Sequence, residues 1–153
     1  MNLMSATRQL LVSGLTCLAL DAFAQSCVTP VEITNTGAFA GNTCNNYNQL
    51  PYIANGAIAT QGKQDIYHVH VVDGTGVTFS LTPEASVDLG LAVCRNQCST
   101  YATCTSVVDS GVPGATQAAP LPDGPGDYYI IIGGGSTCGN YNLNVAAPLR
   151  KVK

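Results

Sequence analysis

Apolar and polar residues alternate along most of the chain after residue 60, and this alternation predicts strands rather than helices. In DIYHVHVV (65 to 72), Tyr67, Val69 and Val71 share one face, and Ile66, His68, His70 and Val72 share the other. DGTG (73 to 76) predicts a hairpin turn, and VTFSLTP (77 to 83) returns with Val77, Phe79 and Leu81 on one face. VDLGLAVC (87 to 94) and CTSVVDSG (104 to 111) predict two more strands. PLPDGPGD (120 to 127) is expected to be neither helix nor strand, because its prolines lack a ladder donor. YYIIIG (128 to 133) predicts a strand buried on both faces. YNLNVA (141 to 146) predicts one with Tyr141, Leu143 and Val145 inward and asparagines outward. Between Cys27 and Thr60 the pattern is less regular: VEI and GAIAT suggest short strands, and NTCNNYNQLP (42 to 51) a polar loop.

Seven or eight short strands separated by turns predict an all-β, antiparallel, jelly-roll-like sandwich. Its core is expected to hold Tyr67, Val69, Val71, Val77, Phe79, Leu81, Leu89, Leu91, Val93, Tyr129, Ile131, Leu143 and Val145.

The first residues follow a different rule. Arg8, the apolar run LLVSGLTCLAL (10 to 20) and AFA (22 to 24) read as a secretory signal cut between Ala24 and Gln25. About 20 apolar residues are needed to span a bilayer, and Asp21 interrupts this run early. The expected organisation is a signal over 1–24, one domain over 25–147 and a flexible tail over 148–153. The mature protein is then secreted, extracellular or periplasmic, with no membrane span. Cleavage removes Cys17 and leaves Cys27, Cys44, Cys94, Cys98, Cys104 and Cys138, an even set that implies disulfides in an exported chain. Cys44 is paired with Cys138, one bridge is expected within Cys94, Cys98 and Cys104, and Cys27 takes the remaining partner. The spacings within that trio fit a zinc ribbon poorly.

Composition narrows the function. The chain is 46% hydrophobic and only 10% charged, with a net charge of -3. Six basic residues make no patch for a phosphate backbone, so nucleic acid is excluded as a partner. GGGSTCGN (133 to 140) has neither the lysine nor the following helix of a phosphate-binding loop; it reads as a flexible turn between two antiparallel strands. His68 and His70 project from one strand face and are the metal candidates, but zinc needs three or four ligands and no third histidine exists. The aspartates Asp65, Asp73, Asp88, Asp109, Asp123 and Asp127 fall mostly at turns, without calcium-loop spacing, so at most a weak calcium site and no other cofactor is expected. Ser136 lacks the context of a nucleophile elbow. Glu32 and Glu84 are the only glutamates, and nothing around them marks a glycosidase pair.

In order and spacing, QDIYHVHV, GTGVTFSLTP, VDLGLAVC, GPGDYYIIIGG and CGNYNLNV resemble the bacterial pre-peptidase C-terminal (PPC) domain, over about residues 56 to 146. The resemblance implies a jelly-roll-like sandwich without catalytic machinery. The family usually forms an appendage to secreted enzymes; some members bind insoluble substrate such as collagen, and some bind calcium. The six cysteines and the histidines depart from the family style, so no ligand residue carries over. From the residues themselves, Tyr47, Tyr52 and Tyr101 lie in polar loops and offer flat apolar faces with a polar tip. The expected function is a non-catalytic binding or structural module for an extracellular polysaccharide or protein surface. The alternative is a small secreted enzyme, metal-dependent through His68 and His70.

Overall fold

The computed structural model describes residues 26–59, 63–73, 76–121, 124–146 and 149. The expected signal segment and its cleavage site lie outside these residues, as does most of the expected tail.

Eight strands build the sandwich: β2 (Gly37–Asn42), β5 (Gln64–Val71), β6 (Thr78–Pro83), β7 (Gly90–Arg95), β8 (Cys104–Val108), β9 (Gln117–Pro120), β10 (Gly126–Gly133) and β11 (Asn140–Ala146). Three shorter ones, β1 (Val31–Ile33), β3 (Tyr52–Ile53) and β4 (Ile58–Ala59), accompany them. One sheet runs β1-β5-β10-β7-β8, the other β2-β11-β6-β9, and β3 pairs with β4 apart from both. The pairings nest: β2 with β11, β5 with β10, β6 with β9 and β7 with β8, all antiparallel. That is a long hairpin rolled into two layers, the jelly roll. Edge strand β1 departs from the antiparallel rule by running parallel to β5.

The roll corrects several local expectations. Every link between consecutive sandwich strands crosses from one sheet to the other, except that between β7 and β8. DGTG therefore joins β5 to β6 across the sandwich and closes no hairpin. The glycine run likewise leads from β10 in one sheet to β11 in the other. Its Gly134 is buried because the Asp88 carbonyl fills the space a Cβ would need, so close approach rather than flexibility fixes this glycine. PLPDGPGD is not wholly loop: Pro120 ends β9, and Gly126 and Asp127 open β10. Strand β9 lies at a sheet edge, where a missing donor is tolerated. Leu149, within the expected tail, bridges to Val71.

The sheets bury Tyr67, Val69 and Val71 of β5, Phe79 and Leu81 of β6, Leu91 and Val93 of β7, and Leu143 and Val145 of β11 between them. On β10 the inward residues are Tyr128, Ile130 and Ile132, not Tyr129 and Ile131. Ile131 is equally buried, in a second core on the other side of the five-stranded sheet with Leu50, Ile53, Ile58, Ile66 and Ala92. There β3, β4 and their loops cover the sheet. A strand with apolar layers on both sides carries no parity signal, and a one-residue slip exchanges its faces. Ile130→Ala and Ile131→Ala are each expected to lose about 2–5 kcal/mol in urea unfolding. A near-zero loss at either would mean that its core is not packed as described.

Candidate functional site

Disulfides shape one surface loop above the rest. Cys94 pairs with Cys104 and Cys27 with Cys98, so the segment Cys98–Cys104 is tied at both ends. Inside it the Ala102 amide donates to Ser99 O and the Thr103 amide to Gln97 Oε1, both at 3.1 Å. Ala102 is buried beneath, and Tyr101 stands out with 72% of its surface exposed. Its hydroxyl lies 3.4 Å from that of Tyr52. The two rings meet edge-on, with centroids 6.1 Å apart and planes at 77°. The hydrogen bond to Tyr101 comes first among the causes that hold the Tyr52 phenol above its ordinary pKa.

The backbone beside this pair is strained. Ala54 and Asn55 have φ of 53° and 56°, a left-handed conformation that costs an alanine about 1–2 kcal/mol. The Asn55 amide donates to Thr100 O at 3.2 Å, joining the strained turn to the tyrosine loop. Tyr47 is also exposed, at 69%. It is flanked by Asn46, which donates to Asp65 Oδ1, and Asn48, which accepts from Gln64 Nε2 at 3.1 Å. Tyr52 and Tyr101 thus form a unit, and Tyr47 projects from a separate loop anchored on β5.

His68 and His70 share the outer face of β5, opposite carboxylates from the neighbouring strands. His68 Nδ1 lies 2.8 and 2.9 Å from the two oxygens of Glu32 on β1, and its Nε2 is 3.5 Å from Asp127 Oδ1. His70 Nδ1 is 2.8 Å from the same Asp127 oxygen. The ring of Tyr129 leans on His68 at 5.0 Å. Sequence reading did not foresee these partners, because they come from strand pairing: Glu32 is level with His68, and Asp127 with His70. Among the described residues no group of three or more His, Cys, Asp or Glu side chains is placed to hold a metal ion.

The expected turn aspartates have varied roles. Asp65 is 1% exposed and accepts hydrogen bonds from Asn46 and Tyr141. Burial, and next the charge of Asp109, raise the Asp88 carboxyl above its ordinary pKa. Asp109 itself accepts from the Gly111 amide in a turn. Asp123 lies outside the described residues. Cys44 is bonded to Cys138. No helix among the described residues is long and apolar enough to cross a membrane.

No family model matches this chain, and no curated protein does. Among solved structures it is similar to the pre-peptidase C-terminal domain of a collagenase from Bacillus anthracis, with 15% identity and a TM-score of 0.48, over 76% of this chain and 94% of that one. It is also similar to the Yersinia pseudotuberculosis-derived mitogen, with 14% identity and a TM-score of 0.38, over 75% and 87% of the two chains. At that distance neither carries a functional residue over to this chain.

Proposed function

We propose that this chain is an exported, non-catalytic binding module that engages an extracellular polymer or protein surface through the loop Cys98–Cys104. The observation that supports this most is Tyr101: a large aromatic left 72% exposed on a segment locked at both ends by disulfides. A tyrosine displayed on a rigid loop has little conformational entropy left to lose on binding. The strained Ala54–Asn55 turn fits the same reading, since strain gathers where a structure holds a contact surface in place. Export rests on the signal-like first 24 residues and on three disulfides, which persist in oxidising compartments.

The test is a pull-down of the oxidised protein on insoluble polysaccharides, collagen-like proteins and cell-surface fractions, repeated with Tyr101→Ala and with Tyr52→Ala. Tyr101→Ala is expected to weaken binding by about 30-fold, the mark of a hot-spot aromatic. Its stability should fall by no more than about 1.5 kcal/mol, the scale of the lost aromatic pair. Unchanged binding would remove the loop from the site. Reproducible hydrolytic turnover that disappears in His68→Ala, His70→Ala protein would instead favour the small secreted enzyme acting through His68 and His70.

A further inference from the structure

The two sheets differ in charge. The strands of the five-stranded sheet hold Glu32, Asp65, His68, His70, Arg95 and Asp127. The four strands of the other sheet, GAFAGN, TFSLTP, QAAP and NYNLNVA, contain no charged residue. A solvent-facing sheet normally carries charge on its polar side; here that side is made of small polar and small apolar groups. A groove of about 330 Å³ opens on it, between β2, β11 and the end of β6, at the small end of the roughly 300–1,000 Å³ typical of ligand clefts.

We infer that this groove is a binding site for a neutral, hydroxyl-rich glycan. Its floor is fixed: a Cβ at Gly41 would collide with the Tyr141 ring, which lies across that position. One wall is set by a hydrogen-bond chain. Asn42 Nδ2 donates to Asn140 Oδ1 at 2.7 Å, and Asn140 Nδ2 donates to Glu84 Oε2 at 3.1 Å. Glu84 and Asn142 line the groove, and among the described residues the other Glu84 carboxylate oxygen and the Asn142 side-chain amide carry no hydrogen bond. An amide supplies two donors and a carbonyl, and a carboxylate oxygen supplies lone pairs. Vicinal hydroxyls, each both donor and acceptor, match that mixture, and Ala40 offers a small apolar surface to sugar C–H groups.

Other ligand classes fit less well. A nucleic acid needs cations, and the groove has none. An extended peptide is gripped by edge pairing or by side-chain pockets; the free edge of β2 faces away from β11, whereas the groove lies on the sheet face over β2, β11 and the end of β6. The site lies on the sheet opposite His68 and His70 and does not rest on the tyrosine-loop reading.

The test is a titration of isotope-labelled, disulfide-intact protein with neutral gluco-, manno-, galacto- and N-acetylglucosamine oligosaccharides, and with uncharged extended peptides, followed by NMR. Concentrations up to about 10 mM reach millimolar affinities. The expected result is saturable shifts at the side-chain amides of Asn140 and Asn142 and at Thr82 with at least one glycan. Asn142→Ala and Glu84→Gln should each weaken that glycan about fivefold, the worth of one hydrogen bond. Asn142 is exposed, so Asn142→Ala should fold, and Glu84→Gln keeps the shape of the side chain. Shifts confined to residues 98–104 would overturn the groove while supporting the tyrosine loop. Shifts at the groove with the peptides and none of the glycans, or with no ligand at all, would overturn it as well.

Discussion

Removing the Cys44–Cys138 bridge as Cys44→Ala, Cys138→Ala is expected to cost about 4–5 kcal/mol, a third or more of a typical domain's stability of about 5–15 kcal/mol. The two cysteines are 94 residues apart in sequence, and the chain-entropy gain from a bridge rises with the loop it closes. The Cys94–Cys104 bridge, with a separation of 10, should cost about 2–3 kcal/mol when removed in the same way. The longer bridge also joins the first and last strands of the nested set, because Cys44 follows β2 and Cys138 precedes β11. Thr43 reinforces it: its amide donates to Gly139 O and its hydroxyl accepts from the Gly139 amide, both at 3.1 Å. Denaturant unfolding of both double variants and the parent under oxidising conditions measures the ranking. Equal losses would show that contacts local to each bridge, rather than loop length, set the effect.

Some strand faces were legible in the sequence and others were not, for physical reasons. In β6 and β11, polar residues alternate with apolar ones, so one face is core and the other is not, and in β5 the histidines mark the less buried face although Ile66 there joins the second core; Tyr67, Phe79 and Leu143 point where the alternation puts them. In β10 every residue from Tyr128 to Ile132 is apolar or aromatic, because both sides meet apolar layers, and the pattern cannot choose a face. GAFAGN was invisible as a strand: glycine and alanine have little intrinsic strand preference, and pairing with β11 is what holds β2 in place. Turn chemistry in DGTG is local and does not say which sheet the next strand joins. The site follows the same logic. The cysteines showed that the segment Cys94–Cys104 was tied, but Tyr52 and Tyr101 are 49 residues apart and meet where the Asn55 amide bonds Thr100 O across their loops. Of the uncharged strands, β6 and β11 follow from the alternation whereas β2 and β9 do not, and that all four share one sheet follows only from the roll. Asp65 looked like a turn residue because a carboxylate beside a strand usually is one.

Asp65→Asn is expected to stabilise the protein at neutral pH, and Asp65→Ala to destabilise it by about 2–5 kcal/mol. Asp65 sits where three parts of the fold meet. Its carboxylate accepts from Tyr141 of β11 and from Asn46 of the loop after β2, and Tyr141 OH lies 2.6 Å from the hydroxyl of Tyr67 on β5. Truncation to alanine would remove from a buried site the acceptor shared by the Tyr141 hydroxyl and the Asn46 amide, at about 1–3 kcal/mol for each lost bond. Asparagine keeps the shape and loses the charge, and the tyrosine hydroxyls can reverse their donor and acceptor roles to suit an amide. Charge is the cost here: burial raises the Asp65 carboxyl above its ordinary value of 3.8, and the hydrogen bonds from Tyr141 and Asn46 pull back only in part. Burial also pushes the Tyr141 phenol far above its ordinary range, so it stays a neutral donor. A raised carboxyl pKa means that the folded state holds its proton more tightly than the unfolded one. The Asp65 contribution is therefore fully present below about pH 3.8 and is lost as pH rises through the raised value. The stability difference between Asp65→Asn and the parent should be largest near pH 7 and shrink toward pH 4, read from urea unfolding across that range. A difference that grows on acidification would mean that the hydrogen bonds outweigh burial, and that the charged form of Asp65 helps to hold the two sheets together.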